Sequence, residues 1–163
     1  MSENLVGVIG GSGLGEELSK HIKNPASHEI KTPFGRPSGV IKVGEFAGNR
    51  IAFIDRHGPG HRCSPSDVPY AANIFALKAI GVKTVISTCA VGSLQENIHP
   101  GDLVTVDQFI DKTVKRTNSF FRPMAVHCEF AQPTCGRLRK IINTEAETVR
   151  TGTHKTGTYV CME

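Results

Sequence analysis

No apolar run in the sequence approaches the roughly 18 residues of a membrane-crossing helix, so no spanning segment is expected. Neither is there a block of like charges: 19 Lys and Arg against 15 Asp and Glu leave a net charge of only +4. That excess is too slight to announce a nucleic-acid protein. No CxxC pair occurs among the five cysteines, Cys63, Cys89, Cys128, Cys135 and Cys161. Their odd number and irregular spacing favour reduced thiols over a disulfide framework or a zinc knuckle. Repeats and low-complexity tracts are missing too, which removes solenoids and disordered tails. The N-terminus lacks a basic flank ahead of an apolar stretch, against a secretory leader. The expectation is a cytoplasmic protein, and the chain is long enough for one ordinary domain spanning 1–163.

What is present is a succession of short apolar segments. Leu5 to Ile9 reads as a buried strand passing into the turn Gly10-Gly11-Ser12-Gly13. Gly39 to Val43 and Arg50 to Asp55 read as two strands joined as a hairpin, so the sheet is expected to be partly antiparallel. From Ser66 the positions Val68, Ala71, Ala72, Phe75 and Ala79 recur at helical spacing, with Ser66 placed as N-cap and Gly81 as the stop. Val82 to Thr88, Leu103 to Phe109 and Thr156 to Met162 read as further strands, and Leu138, Ile141, Ile142 and Val149 as a helix. Alternating elements of this kind predict an α/β domain, a mixed central sheet flanked by helices.

Three strand ends carry residues suited to an anion. Gly10 to Gly15 fails as a dinucleotide fingerprint and as a Walker loop, leaving a turn whose amides and Ser12 hydroxyl could hold phosphate. Arg56-His57-Gly58 follows the strand Arg50 to Asp55, and offers a planar guanidinium fork and an imidazole. Cys89-Ala90-Val91-Gly92-Ser93 is a run of mostly small residues after Val82 to Thr88, where backbone can approach a ligand. Open α/β sheets bind ligands at such ends. His57 and His61 have the spacing of a helical metal pair, but the Gly-Pro-Gly between them forbids the helix, so a metal site is not expected.

These segments, taken in order, resemble the methylthioadenosine phosphorylases, a branch of the trimeric purine nucleoside phosphorylases. The matching stretches are GVIGGSGL (Gly7 to Leu14), TPFGRPS (Thr32 to Ser38), RHG (Arg56 to Gly58), YAANIFALKAIG (Tyr70 to Gly81), AVGSLQENIHPGDLVTVDQFIDKT (Ala90 to Thr113) and GTYVCME (Gly157 to Glu163). The resemblance implies a nucleoside phosphorylase-like fold and phosphorolysis of 5′-methylthioadenosine to adenine and 5-methylthioribose 1-phosphate, in purine and methionine salvage. Inorganic phosphate would be the co-substrate, with no cofactor and no metal. It also implies that Ser12, Arg56, His57, Cys89 and Ala90 bind phosphate, that Ser12 also positions the sugar, and that His127 reaches a neighbouring subunit's site in a homotrimer. Cys89 departs from the hydroxyl or small polar residue of many relatives and is a weaker donor. A purine nucleoside is the expected partner; nucleic acid and membrane are not.

Two other readings stay open: a purine nucleoside phosphorylase for inosine, guanosine or methylthioinosine, and a non-catalytic truncated fragment. Family chains continue past the position matching Glu163, so the single domain is expected to be truncated there, with a second polypeptide segment as a possible partner. No leaving-group donor is identified. Asp102, Asp107 and Asp111 are available by composition but match no base-binding motif, and the chain alone is therefore expected to be a poor catalyst or an inactive one.

Overall fold

The computed structural model describes residues 4–11 and 13–163; Ser12, the expected phosphate and sugar ligand, lies outside the described residues. Contacts divide the chain into two compact units, Met1–Ala90 with Arg116–Phe120, and Val91–Lys115 with Phe121–Glu163.

The first unit is built on β1 (Val6–Gly10), α1 (Leu14–His21), β2 (Lys23–His28), β3 (Ile41–Phe46), β4 (Asn49–Asp55), α2 (Tyr70–Ala79) and β5 (Thr84–Ser87). The five strands form one sheet in the order β2-β3-β4-β1-β5. β4, β1 and β5 run parallel, whereas β2, β3 and β4 are antiparallel. The sheet is mixed, as the sequence predicts. In β4 the two-residue period sorts the side chains: Ala52 and Ile54 join Ile9, Ile41, Val43, Ala76, Leu77 and Val82 on the α2 side. Ile51 and Phe53 pack with Ile22, Val8 and Leu18 on the α1 side. Helices thus cover both faces, and β1 is the middle one of the three parallel strands, with β4 on one flank and β5 on the other. That arrangement makes the C-terminal end of β1 a topological switch point.

Some boundaries differ from expectation, each for a local reason. The helix of the Tyr70 stretch is capped by Pro69 rather than Ser66, because Ser64 opens a turn that takes the Asp67 and Val68 amides. Its C-terminus is as expected: Gly81 sits at φ +93°, its N–H reaching Lys78 O and that of Val82 reaching Leu77 O, the double bond of a Schellman ending. Helix α1 was not anticipated, since its apolar positions Leu14 and Leu18 are few; Gly13 precedes it as N-cap. β2 is exposed throughout and contains Pro25, features of an edge strand that carries no apolar signal.

The second unit contains β6 (Leu103–Val104), β7 (Gln108–Lys112), α3 (Gly136–Ala146), β8 (Thr153–His154) and β9 (Thr158–Met162). β6 pairs with β8 and β7 with β9, both in parallel. The single strand expected over Leu103 to Phe109 is therefore broken, and the break is where Asp107 turns its carboxylate onto the Gly157 N–H at 3.1 Å. Helix α3 stops before Val149.

Asp102 ties the start of β6 to β8. Its Oδ2 accepts from His154 Nε2 at 2.8 Å and from the His99 N–H at 2.9 Å. The His154 bond first, then the His99 amide, holds the carboxyl below its ordinary pKa. A depressed carboxyl pKa adds stability that is present above the unfolded-state value and lost as the pH falls through the folded one. Asp102→Asn is expected to lower the melting temperature near neutral pH, and the gap from the parent should close on acidification. Thermal melts across an acid pH series check this.

Candidate functional site

The glycines after β1 have a packing reason. A Cβ at Gly10 would lie 2.7 Å from the Phe53 ring, and one at Gly11 would lie 2.6 Å from Arg56 Nη2. Bare backbone at these positions clears room for a ring on one side and a guanidinium on the other. The ends of the three parallel strands are also bonded together, the Arg56 N–H donating to Gly10 O and the Thr88 N–H to Ile9 O, each at 3.1 Å.

Arg56 is the centre of this edge. Its Nη1 donates to Thr88 O at 2.6 Å and its Nε to His57 Nε2 at 3.1 Å. Among the described residues nothing accepts from Nη2, which lies beside Gly11. His57 is 7% exposed. Its Nδ1 faces Cys63 O at 2.9 Å, an oxygen that can only accept, so Nδ1 carries the proton and Nε2 presents the lone pair that Arg56 uses. In this arrangement the ring has no N–H left for an anion; its first service is to aim Arg56.

Behind His57 lies a buried polar network. The His57 N–H donates to Asp55 Oδ1 at 3.0 Å. Ser38 Oγ donates to Asp55 O at 2.6 Å, while its own N–H donates to Asn73 Oδ1 at 2.8 Å and its carbonyl accepts from Arg62 Nη2 at 2.7 Å. Ser38 and Asn73 are each only 2% exposed. The loop before β3, the end of β4 and helix α2 are locked together here, so the Arg56 backbone has little freedom.

Cys89 and Ala90 follow Thr88 and are exposed. No described residue accepts from their amides, which lie one and two residues beyond the carbonyl that holds Arg56. A guanidinium nitrogen and two amides without a described partner, beside the bare backbone of Gly10 and Gly11 at one strand edge, can hold a tetrahedral oxyanion.

A family model described as the phosphorylase superfamily matches residues 5–163. The chain belongs to the phosphorylase superfamily. It is 44% identical, over 100% of its own length and 62% of the relative's, to the S-methyl-5′-thioadenosine phosphorylase of Thermofilum pendens. To that of Hyperthermus butylicus it is 46% identical, over 97% of this chain and 57% of the relative. Among solved structures, a methylthioadenosine phosphorylase from an antarctic soil metagenomic library superposes with a TM-score of 0.88 at 43% identity, over 100% of this chain and 57% of that one. The Schistosoma mansoni methylthioadenosine phosphorylase in complex with tubercidin gives 0.91 at 33% identity, over 98% and 64%. The fold is that of the nucleoside phosphorylases, and the chain spans about 60% of the length of the curated relatives it matches.

Within this superfamily framework the remaining expected residues have clear local settings. His127 is exposed, in a stretch of the second unit without helix or strand. Asp102, Asp107 and Asp111 are each engaged locally, with His154, with the Gly157 N–H and with the Thr113 N–H and hydroxyl. Among the described residues no group of three or more His, Cys, Asp or Glu side chains is assembled to hold a metal ion, and no helix is long and apolar enough to cross a membrane. No cysteine among the described residues is joined in a disulfide. Sequence reasoning missed Ser38, Asn73 and Arg62; the first two fall inside the TPFGRPS and YAANIFALKAIG stretches, where only their burial reveals the connection.

Proposed function

We propose that the whole protein to which this chain belongs is an S-methyl-5′-thioadenosine phosphorylase, splitting 5′-methylthioadenosine with inorganic phosphate into adenine and 5-methylthioribose 1-phosphate. The observation that carries the reading is Arg56, held at three parallel strand ends with no described residue accepting from Nη2. A phosphate oxygen bonds to the anomeric carbon as the bond from that carbon to the purine nitrogen breaks. The electron pair leaves with the base, which takes a proton. Positive charge develops on the sugar, so a fixed phosphate dianion acts both as nucleophile and as electrostatic stabiliser.

In this reading Arg56 binds phosphate directly, with the Ser12 hydroxyl and the amides of Cys89 and Ala90 on other oxygens. His57 supports Arg56 and reaches phosphate itself only by giving up one of its present bonds. Ser12 also positions the sugar, and His127 serves a neighbouring subunit's site in a homotrimer acting in the cytoplasm. The leaving base needs a donor. The local engagement of Asp102, Asp107 and Asp111 argues against each of them, and residues 1–163 by themselves are expected to turn over slowly or not at all.

Phosphate-dependent release of adenine from methylthioadenosine, set beside release of hypoxanthine from inosine, tests the assignment in the whole protein. Adenine release that vanishes without phosphate supports it. A preference for inosine replaces it with a purine nucleoside phosphorylase, and no release from either removes the enzymatic reading.

A further inference from the structure

His61 has no part in the site as described above, yet the chain goes to some length to place its ring. Pro59–His61 makes a single 3₁₀ turn, broken by Gly60 at φ +67° and followed at once by His61 at φ +60°. The left-handed region suits glycine; a histidine there is uncommon and strained. The turn is closed by hydrogen bonds from the His61 N–H to Gly58 O at 3.1 Å and from the Cys63 N–H to His57 O at 3.0 Å. The result is that the His61 ring folds back onto His57, with centroids 4.5 Å apart and planes 15° from parallel. His61 is exposed, so its ring covers the buried one from the solvent side.

His57 needs such cover. Its two ring nitrogens work only in one orientation, Nδ1–H toward Cys63 O and Nε2 toward Arg56 Nε. A half-turn of the ring would exchange nitrogen for carbon at both contacts, and Arg56 would lose the acceptor that orients its fork. We propose that His61 is a positioning residue: by stacking on His57 it holds the imidazole in the plane and tautomer that fix the Arg56 guanidinium. The inference rests on the reading of Arg56 as the phosphate cation.

Two variants isolate the ring from the backbone. His61→Gly relieves the left-handed backbone and removes the ring, whereas His61→Phe keeps a flat ring without nitrogens. In the whole enzyme His61→Gly is expected to raise the phosphate KM roughly 3- to 10-fold, the scale of one lost aromatic pair. Its melting temperature should hold or rise, and its kcat and nucleoside KM should change little. His61→Phe should restore the phosphate KM. Nitrogen-15 NMR supplies a readout independent of catalysis: His57 should keep a protonated Nδ1 and an unprotonated Nε2 in the parent and in His61→Phe, and should average between tautomers in His61→Gly. A His61→Gly enzyme with parental phosphate KM and an unaltered His57 spectrum overturns the proposal, and so does a Phe variant as impaired as the Gly variant. A changed His57 spectrum with unchanged phosphate KM would leave the stacking role standing and count against the phosphate reading of Arg56.

Discussion

Arg56→Ala is expected to raise the phosphate KM of the whole enzyme by about 10- to 150-fold, the loss of one charge-assisted hydrogen bond of roughly 1.5–3 kcal/mol. The nucleoside KM should move far less, because in the proposed reading the guanidinium holds the anion and not the nucleoside. Arg56 also donates to Thr88 O, so part of the loss could come from a shifted strand end, and Arg56→Lys separates the two contributions. Lysine keeps the charge but not the fork, and an intermediate phosphate KM is the expected result. Steady-state kinetics with phosphate varied at saturating nucleoside, paired with a thermal melt of each variant, provide the check. An Arg56→Ala enzyme with unchanged phosphate KM would contradict the assignment.

Gly58→Ala should be the most damaging small substitution near the site. Gly58 sits at φ +72°, and an added Cβ would lie 2.5 Å from the Ser38 carbonyl oxygen and 3.0 Å from Arg62 Nε. Neither neighbour can yield cheaply: that carbonyl accepts from Arg62, while the Ser38 N–H is bonded to Asn73 and its hydroxyl to Asp55 O. Left-handed strain and overpacking against backbone together suggest a destabilisation of about 2–6 kcal/mol. Denaturant unfolding measures it. Because Ser38 and Asp55 brace the His57 backbone, phosphate affinity should fall with stability; a variant of parental stability would show that the loop yields more easily than its hydrogen bonds imply.

Much of the first unit was legible in the sequence, because its strands are half-buried and its long helix is periodic. β4 alternates Ile51 and Phe53 with Ala52 and Ile54, and the two sets do go to opposite faces. What escaped was whatever lacks an apolar signature: β2, exposed along its whole length, and α1, where Gly15 lies so close to the Phe53 ring that an added Cβ would come within 3.0 Å of it, and Leu18 packs on the same cluster. The same distinction holds at the site. Arg56 and the small-residue run after β5 could be found from their positions at strand ends. The network of Ser38, Asn73 and Arg62 could not, since a serine in a loop and an asparagine on a helix look like surface residues until burial and partners are known. His57 was legible in place, at the end of β4, but its partners were not: the carbonyl of Cys63 faces Nδ1 and leaves Nε2 to Arg56. His61 shows the same limit, because its spacing from His57 points to a metal pair and carries no sign of the stacked ring.

Diffraction from crystals of the whole protein grown with phosphate tests the central claim most directly. The expected result is a tetrahedral anion within hydrogen-bonding distance of the Arg56 guanidinium, bounded by Gly11 and by the amides of Cys89 and Ala90. Phosphate bound elsewhere, with the Arg56 fork facing solvent at saturating concentration, would contradict it.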